Sequence, residues 1–396
     1  MPEFVRIERH RRVPARPQWG AFFELGFRPL YLAGCTWAAV AVALWVHSPQ
    51  RLIGELGGVL WHAHEMLWGF MGTIAVGFLL TAGGNWTGRN PLKGRMLGVL
   101  VALWLLARVG YLWPGHVALY AAACSETAFF AGAALALGRS IYGTRSQRNY
   151  GVPLLLLGLG ATNLLYLLAV AGGDGALALQ RFNSGLLCMS VIALLVARRV
   201  IPFFAMRAIP DLKIPMLAST GAWQLGAGVI AIVATLLPAP RVSGLAMAAS
   251  GFIALCQLYA WKPQAVGRRP LLWVLYAGYG ALGIGLLAAS AHSMGWIVRS
   301  AWPTHIIAVG GLSVLIIGMV TRTALGHLGR PLQADRFIVL AYVLVMVAAC
   351  MRLAALVPST YAAAALHASA CAWIAAFGLY VWRFLPMMVR PRADLP

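Results

Sequence analysis

The chain has 396 residues, of which 61% are hydrophobic and only 10% charged, with a mean hydropathy of +0.78. That composition excludes an ordinary soluble domain and predicts an all-α, polytopic membrane helix bundle embedded in a lipid bilayer. Lys plus Arg number 31 against 10 Asp plus Glu, a formal net charge of +21, yet the basic residues are spread over short loops rather than gathered on one surface, which argues for contact with anionic headgroups and against a nucleic-acid partner.

Apolar stretches of about 20 residues, the length that crosses roughly 30 Å of hydrocarbon, fall at 27–47, 60–81, 96–113, 117–138, 151–171, 179–198, 216–237, 243–260, 271–291, 302–321, 337–357 and 360–382, predicting twelve transmembrane helices. Charge checks this count independently. With the N-terminus in the cytoplasm, every Lys and Arg falls in an inner segment except Arg51, Arg181, Arg241, Arg299 and Arg352 on the outer side and Arg108 within the third helix. One missed or invented span would reverse every later loop and scramble that asymmetry. The expected organisation is a basic cytoplasmic segment over 1–26, a single twelve-helix membrane domain over 27–382 and a cytoplasmic tail over 383–396.

The run Arg6, Arg9, Arg11, Arg12 and Arg16 resembles the flank of a secretory signal, but the apolar segment after it is long enough to span and is expected to be retained as the first helix. There is no P-loop, GxGxxG or obvious internal repeat, which argues against an ATP-driven pump. Cys35, Cys124, Cys188, Cys256, Cys350 and Cys371 occur singly, without a CxxC pair, and are expected to be packed thiols.

The histidines carry the functional signal. By this topology His47, His62, His64, His116, His292, His305 and His367 lie at or near the outer face, and only His10 and His327 are cytoplasmic. Imidazole inside a bilayer needs a partner, and a metal, a haem iron or a proton path are the usual ones. His62 and His64 open the second helix. At 100° per residue they diverge by about 200°, so a regular helix does not let both grip one ion, whereas His62, Glu65 and Met66 share a face with Gly69, Gly72 and Thr73. One histidine per neighbouring site is the natural reading. His62 with the Met66 thioether suits the start of a copper site, and His64, between Trp61 and Trp68, suits a haem site. A second ligand has to come from another helix at equal depth, and His305 in the tenth meets that requirement best. His367, one turn from Cys371, is a further candidate; His47, His116 and His292 read more simply as hydrogen-bonded packing residues.

Acids within the spans are confined to Glu65 and Glu126. Glu65 is placed to orient a liganding imidazole. Glu126 reads either as a proton-path residue or as a hydrogen-bonded packing residue. Arg108 and Arg352 read equally as partners of haem propionates and as side chains reaching for headgroups.

Gly26-Phe27-Arg28-Pro29-Leu30, Trp61-His62-Ala63-His64-Glu65-Met66, Gly77-Phe78-Leu79-Leu80-Thr81-Ala82, Asn85-Trp86-Thr87-Gly88-Arg89 and Arg198-Arg199-Val200-Ile201-Pro202-Phe203-Phe204 resemble the bacterial NnrS family. So does the tenth-helix stretch, with His305 near its start and Met319 to Pro331 at its end. The resemblance implies a multi-pass protein of the bacterial inner membrane containing haem, of the b type, and copper, associated with denitrification and resistance to nitric oxide. It carries His62, His64 and His305 over as cofactor ligands without saying which binds which metal. The family's second motif falls on Thr321, Arg322, Gly326, His327, Gly329 and Arg330 at the cytoplasmic end of the tenth helix, too far from the outer cluster to share its metal. A loop-forming role is the expectation there, with partner docking or a second binding site as the other reading.

Two further classes compete. A secondary transporter also suits twelve helices, but such proteins bind at the midplane in repeated halves, and here the polar residues crowd one face. A haem–copper oxidase or nitric-oxide reductase core would place histidines near the outer face too, but the adjacent His-His pair of a dinuclear copper centre is missing. A catalytic version needs an open coordination position and a redox donor, so the sequence leaves enzyme, sensor and cofactor handler open.

Overall fold

The apolar stretches become helices joined by short loops. The computed structural model describes residues 16–215, 218–237 and 239–394, and no strand occurs among them. Arg6, His10, Arg11 and the rest of the run before Arg16 lie outside the described residues. After a single turn at Trp19–Phe22, the long helices are Phe27–His47 (α1), Gly58–Thr87 (α2), Gly94–Gly110 (α3), His116–Gly143 (α4), Gly151–Ala171 (α5), Gly175–Ala208 (α6), Ala218–Leu236 (α7), Pro240–Ala260 (α8), Pro270–Ser293 (α9), Ala301–His327 (α10), Arg336–Ala354 (α11) and Ala362–Met388 (α12). Each overlies one expected span. Eleven are long and apolar enough to cross a membrane; α3 has 17 residues and falls just short in length. The protein is a multi-pass helical membrane bundle.

Several helices overrun their apolar cores. Hydropathy ends where polar residues begin, but a helix runs on until something breaks its hydrogen-bond ladder. α2 continues to Thr87 and stops at Gly88, whose φ of 69° is the left-handed conformation a side chain resists. α6 runs through Arg198, Arg199 and Pro202 to Ala208, so most of the segment expected as cytoplasmic chain after residue 198 is helical.

Most helices adjacent in sequence pack together, and α12 returns against α1 to close the bundle. α2 is central: 89% of its apolar window is inside the protein, against 28% for α11. Cys35 and Cys188 are buried, whereas Cys124, Cys256, Cys350 and Cys371 are exposed on the bundle. Packed thiols are therefore only part of the picture; a thiol is apolar enough to face lipid chains.

Among the described residues, α-winding gives way to π-winding at two places. Glu65–Gly72 in α2 and Ile306–Ser313 in α10 are π-wound, each immediately after a histidine, and the two segments pack on one another. Wider winding disturbs the carbonyl ladder, and a hydroxyl closes each segment. Thr73 Oγ1 donates to Gly69 O at 2.8 Å, and Ser313 Oγ donates to Ala308 O at 2.7 Å. Such single π segments recur at functional sites.

Small residues set the α9–α10 separation, as is usual between membrane helices. A Cβ on Gly285 would stand 2.9 Å from the backbone N of Ile307 and 2.6 Å from its side chain. Gly285→Ala is expected to push the start of the α10 π segment away at a cost of about 1–3 kcal/mol. Thermal unfolding in detergent reads this, and an unchanged midpoint would show that the helices part freely there.

Asp335 caps α11. Its Oδ1 accepts from the N–H groups of Phe337 and Ile338, and its Oδ2 accepts from Arg383 Nε at 2.7 Å. Partial burial, the largest single influence, pushes its pKa up, but the Ile338 N–H, Arg383 and the Phe337 N–H together hold it below the ordinary 3.8. A depressed carboxylate stabilises the fold above its unfolded pKa and loses that contribution as pH falls through the folded one. Asp335→Ala is expected to cost about 1 kcal/mol at neutral pH. The difference from wild type should vanish in strong acid, which unfolding measured against pH would reveal.

A cavity with two imidazoles beside a buried charge cluster

His62 and His64 leave α2 in opposite directions, and the structure resolves them into two neighbouring environments. His62 faces a cavity of about 240 Å³ bounded by α1, α2, α6, α10, α11 and α12. His305 and Arg352 line the same cavity, as do Met66, Asn183 and Thr304, with Trp45 and Trp373 among its apolar walls. His62 stacks on Trp45, ring centroids 5.0 Å apart and 11° from parallel. Its Nδ1 is buried with no hydrogen-bond partner.

His305 is held differently. Its Nδ1 lies 2.7 Å from the carbonyl of Ala301 one turn earlier. With Nδ1–H donating there, Nε2 carries the free lone pair, the arrangement that fixes the tautomer and orientation of a liganding imidazole.

His64 is completely buried and turned away from that cavity. Its Nδ1 is 2.9 Å from Glu65 Oε1; its Nε2 is 2.9 Å from Asn163 Oδ1 and 3.0 Å from Glu126 Oε2. Arg108 bridges the two carboxylates, donating from Nη1 to Glu65 Oε2 at 2.5 Å and from Nη2 to Glu126 Oε1. Trp37 Nε1 donates to Glu65 at 2.5 Å; Tyr111 OH and Asn163 Nδ2 donate to Glu126 Oε2 at 3.0 and 2.9 Å. Both ring nitrogens of His64 face acceptors, so a doubly protonated ring meets the geometry in full, and the cluster then holds two cations against two carboxylates. Buried charges persist only when paired in this way.

The regular-helix expectation fails at one point. Glu65 does not share the cavity face with His62 and Met66; lying between the His62 and His64 directions on the helix, it turns into the His64 cluster, where Arg108, Trp37 and His64 engage its carboxylate. Gly69 belongs to that cluster too, since a Cβ there would collide with Arg108 Nη1 and stand 2.6 Å from Glu65 Oε2. Arg108, 1% exposed, reaches neither the headgroups nor the cavity. Arg352 does line the cavity.

Other expected residues lie elsewhere. His367 stacks on His47 on the outside of the bundle, centroids 5.3 Å apart. His116 approaches Glu55 at 3.7 Å, and His292 Nδ1 lies 2.6 Å from Ile297 O. His327 packs against Phe27 at 5.6 Å. Asn163, Tyr111, Trp37 and Trp45 escaped notice in the sequence; Asn163, a polar side chain inside an apolar span, was the one with a readable signal.

Among the described residues no three His, Cys, Asp or Glu side chains gather as a metal cage. The cavity instead offers two imidazoles from facing helices, a thioether, a cation and aromatic walls. A group that brings its own equatorial donors, as a porphyrin does, needs no more than one or two protein ligands. The orphaned His62 Nδ1 and the oriented His305 fit that requirement.

These features define a multi-pass membrane bundle whose central helices bring two imidazoles to one internal cavity, backed by a closed ion cluster. The chain belongs to the NnrS family: the family model described as NnrS protein matches residues 21–392, nearly its whole length. No curated protein matches it.

Proposed function

We propose that the protein is a haem- and copper-binding component of the bacterial inner membrane that acts on or protects against nitric oxide, with its cofactor in the His62–His305 cavity. The observation that carries this reading is the pair of imidazoles, one with an unpartnered buried nitrogen and one fixed by its own helix, lining a single cavity. His62 and His305 would hold the group. Met66 adds the thioether that copper accepts alongside imidazole, and Arg352 supplies a cation for a propionate. His64 acts as a positioning residue, tying the α2 π segment to α4 and α5 through Glu65, Glu126 and Asn163.

When bound, a haem iron or copper ion supplies a site for a diatomic ligand or an electron. The chain's part is to orient the imidazoles, exclude water and admit the ligand. A second cavity of about 70 Å³, walled by apolar residues including Ile74, Ala75, Met189, Ile192, Leu312 and Ile316, lies along α1, α2, α6 and α10, four of the helices that bound the first. An apolar cavity of that kind suits a small uncharged gas arriving from the bilayer. The redox donor would be a separate partner. The test is an optical spectrum with metal analysis of protein purified from cells supplied with haem and copper: a Soret band and stoichiometric metal support the reading, and a sample with neither overturns it.

A further inference from the structure

At the opposite end of α10, the face that its loop charge assigns to the cytoplasm, Arg322 meets Arg207 of α6 and Arg268 and Arg269 of the loop before α9 around a cavity of about 580 Å³. Among the described residues none of these arginines forms an ion pair, and no acidic residue lines the cavity. Asp335, near in sequence, is already engaged by Arg383 and the α11 backbone.

Basic side chains at such a face ordinarily extend to the headgroups, and Arg207, Arg268 and Arg269 are exposed. Arg322 is not: it is 7% exposed, with its guanidinium 3.9 Å above the Phe204 ring. Burying a guanidinium without a carboxylate is costly, and a single ring face offsets only part of that cost. The N-terminus of α9, at Pro270, Leu271 and Leu272, opens on the same space without a side-chain cap and adds the positive end of its dipole. Leu271, Leu272 and Leu332 form an apolar side to the cavity.

The geometry points to a binding site for a phosphate group, held by Arg322 at the base and by Arg207, Arg268 and Arg269 at the rim. Planar guanidinium forks match phosphate oxygens in pairs. The phosphate belongs either to a phospholipid headgroup, whose glycerol and chains would follow the leucines, or to a soluble phosphate. This site lies at the other end of α10 from the His62–His305 cavity and stands or falls separately from the cofactor reading.

Thermal unfolding of the full chain would be measured in two arms. One titrates inorganic phosphate against chloride of equal ionic strength in zwitterionic detergent; the other compares phosphatidylcholine nanodiscs with and without phosphatidylglycerol. Wild type is expected to be stabilised in at least one arm, and Arg322→Gln to bind roughly tenfold more weakly. The exposed-loop variant Arg268→Gln/Arg269→Gln is expected to behave alike and decides the matter if Arg322→Gln does not fold. A response to free phosphate identifies a soluble ligand, and one confined to phosphatidylglycerol identifies a headgroup. No stabilisation in either arm, or equal stabilisation of wild type and the loop variant, overturns the site.

Discussion

His305→Ala is expected to yield a folded protein that has lost its Soret band and its bound metal. Removing only a hydrogen-bond partner of a ligand costs roughly 10- to 100-fold in metal affinity, so removing an imidazole ligand lies beyond that. The fold should tolerate the change, because His305 is half-buried at a cavity wall and its polar contact is to the carbonyl of its own helix. His62→Ala should behave in the same way. His64→Ala is the informative contrast: His64 does not line the cavity and both its nitrogens are engaged by Glu65, Glu126 and Asn163, so its loss should leave cofactor content largely intact while lowering the unfolding midpoint. Cofactor loss in His64→Ala with retention in both His62→Ala and His305→Ala would reverse the assignment of roles.

How far the sequence carried depended on which physical effect decided each feature. Helix positions were legible because the bilayer demands about 20 apolar residues per crossing and leaves few other ways to satisfy the backbone. The separation of His62 from His64 followed from 100° per residue alone. The position of Glu65 did not, because at that angle it lies between the two histidines, and the partners that draw its carboxylate to the His64 side come from other helices. Arg108 was misjudged for a related reason. It sits in the last turn of α3, but place along a helix does not tell whether an arginine points to lipid or inward; that depends on two carboxylates brought by α2 and α4. Arg322 shows the same limit, since only the folded chain brings it beside Phe204 and three arginines distant in sequence.

Arg108→Met is expected to destabilise the protein by about 3–5 kcal/mol, the cost of leaving buried charges without their partner. The methionine keeps most of the side-chain length, so packing against Trp104 and Tyr111, over whose rings the guanidinium lies at 5.9 and 5.2 Å, is altered least. What is lost is one of the two cations that join Glu65 to Glu126, both completely buried, leaving His64 alone between two carboxylates. Glu126→Gln alone should also destabilise, because it leaves Arg108 and His64 sharing one carboxylate. In Arg108→Met/Glu126→Gln the remaining charges again match, Glu65 against His64, so the double variant should be more stable than the sum of the two single losses predicts. Denaturant unfolding of all three in detergent measures that coupling. Additive losses would mean that Arg108 and Glu126 act independently; a loss below about 1 kcal/mol for Arg108→Met would place the pair among the weak, solvated ion pairs of protein surfaces, incompatible with a sealed cluster behind the cofactor cavity.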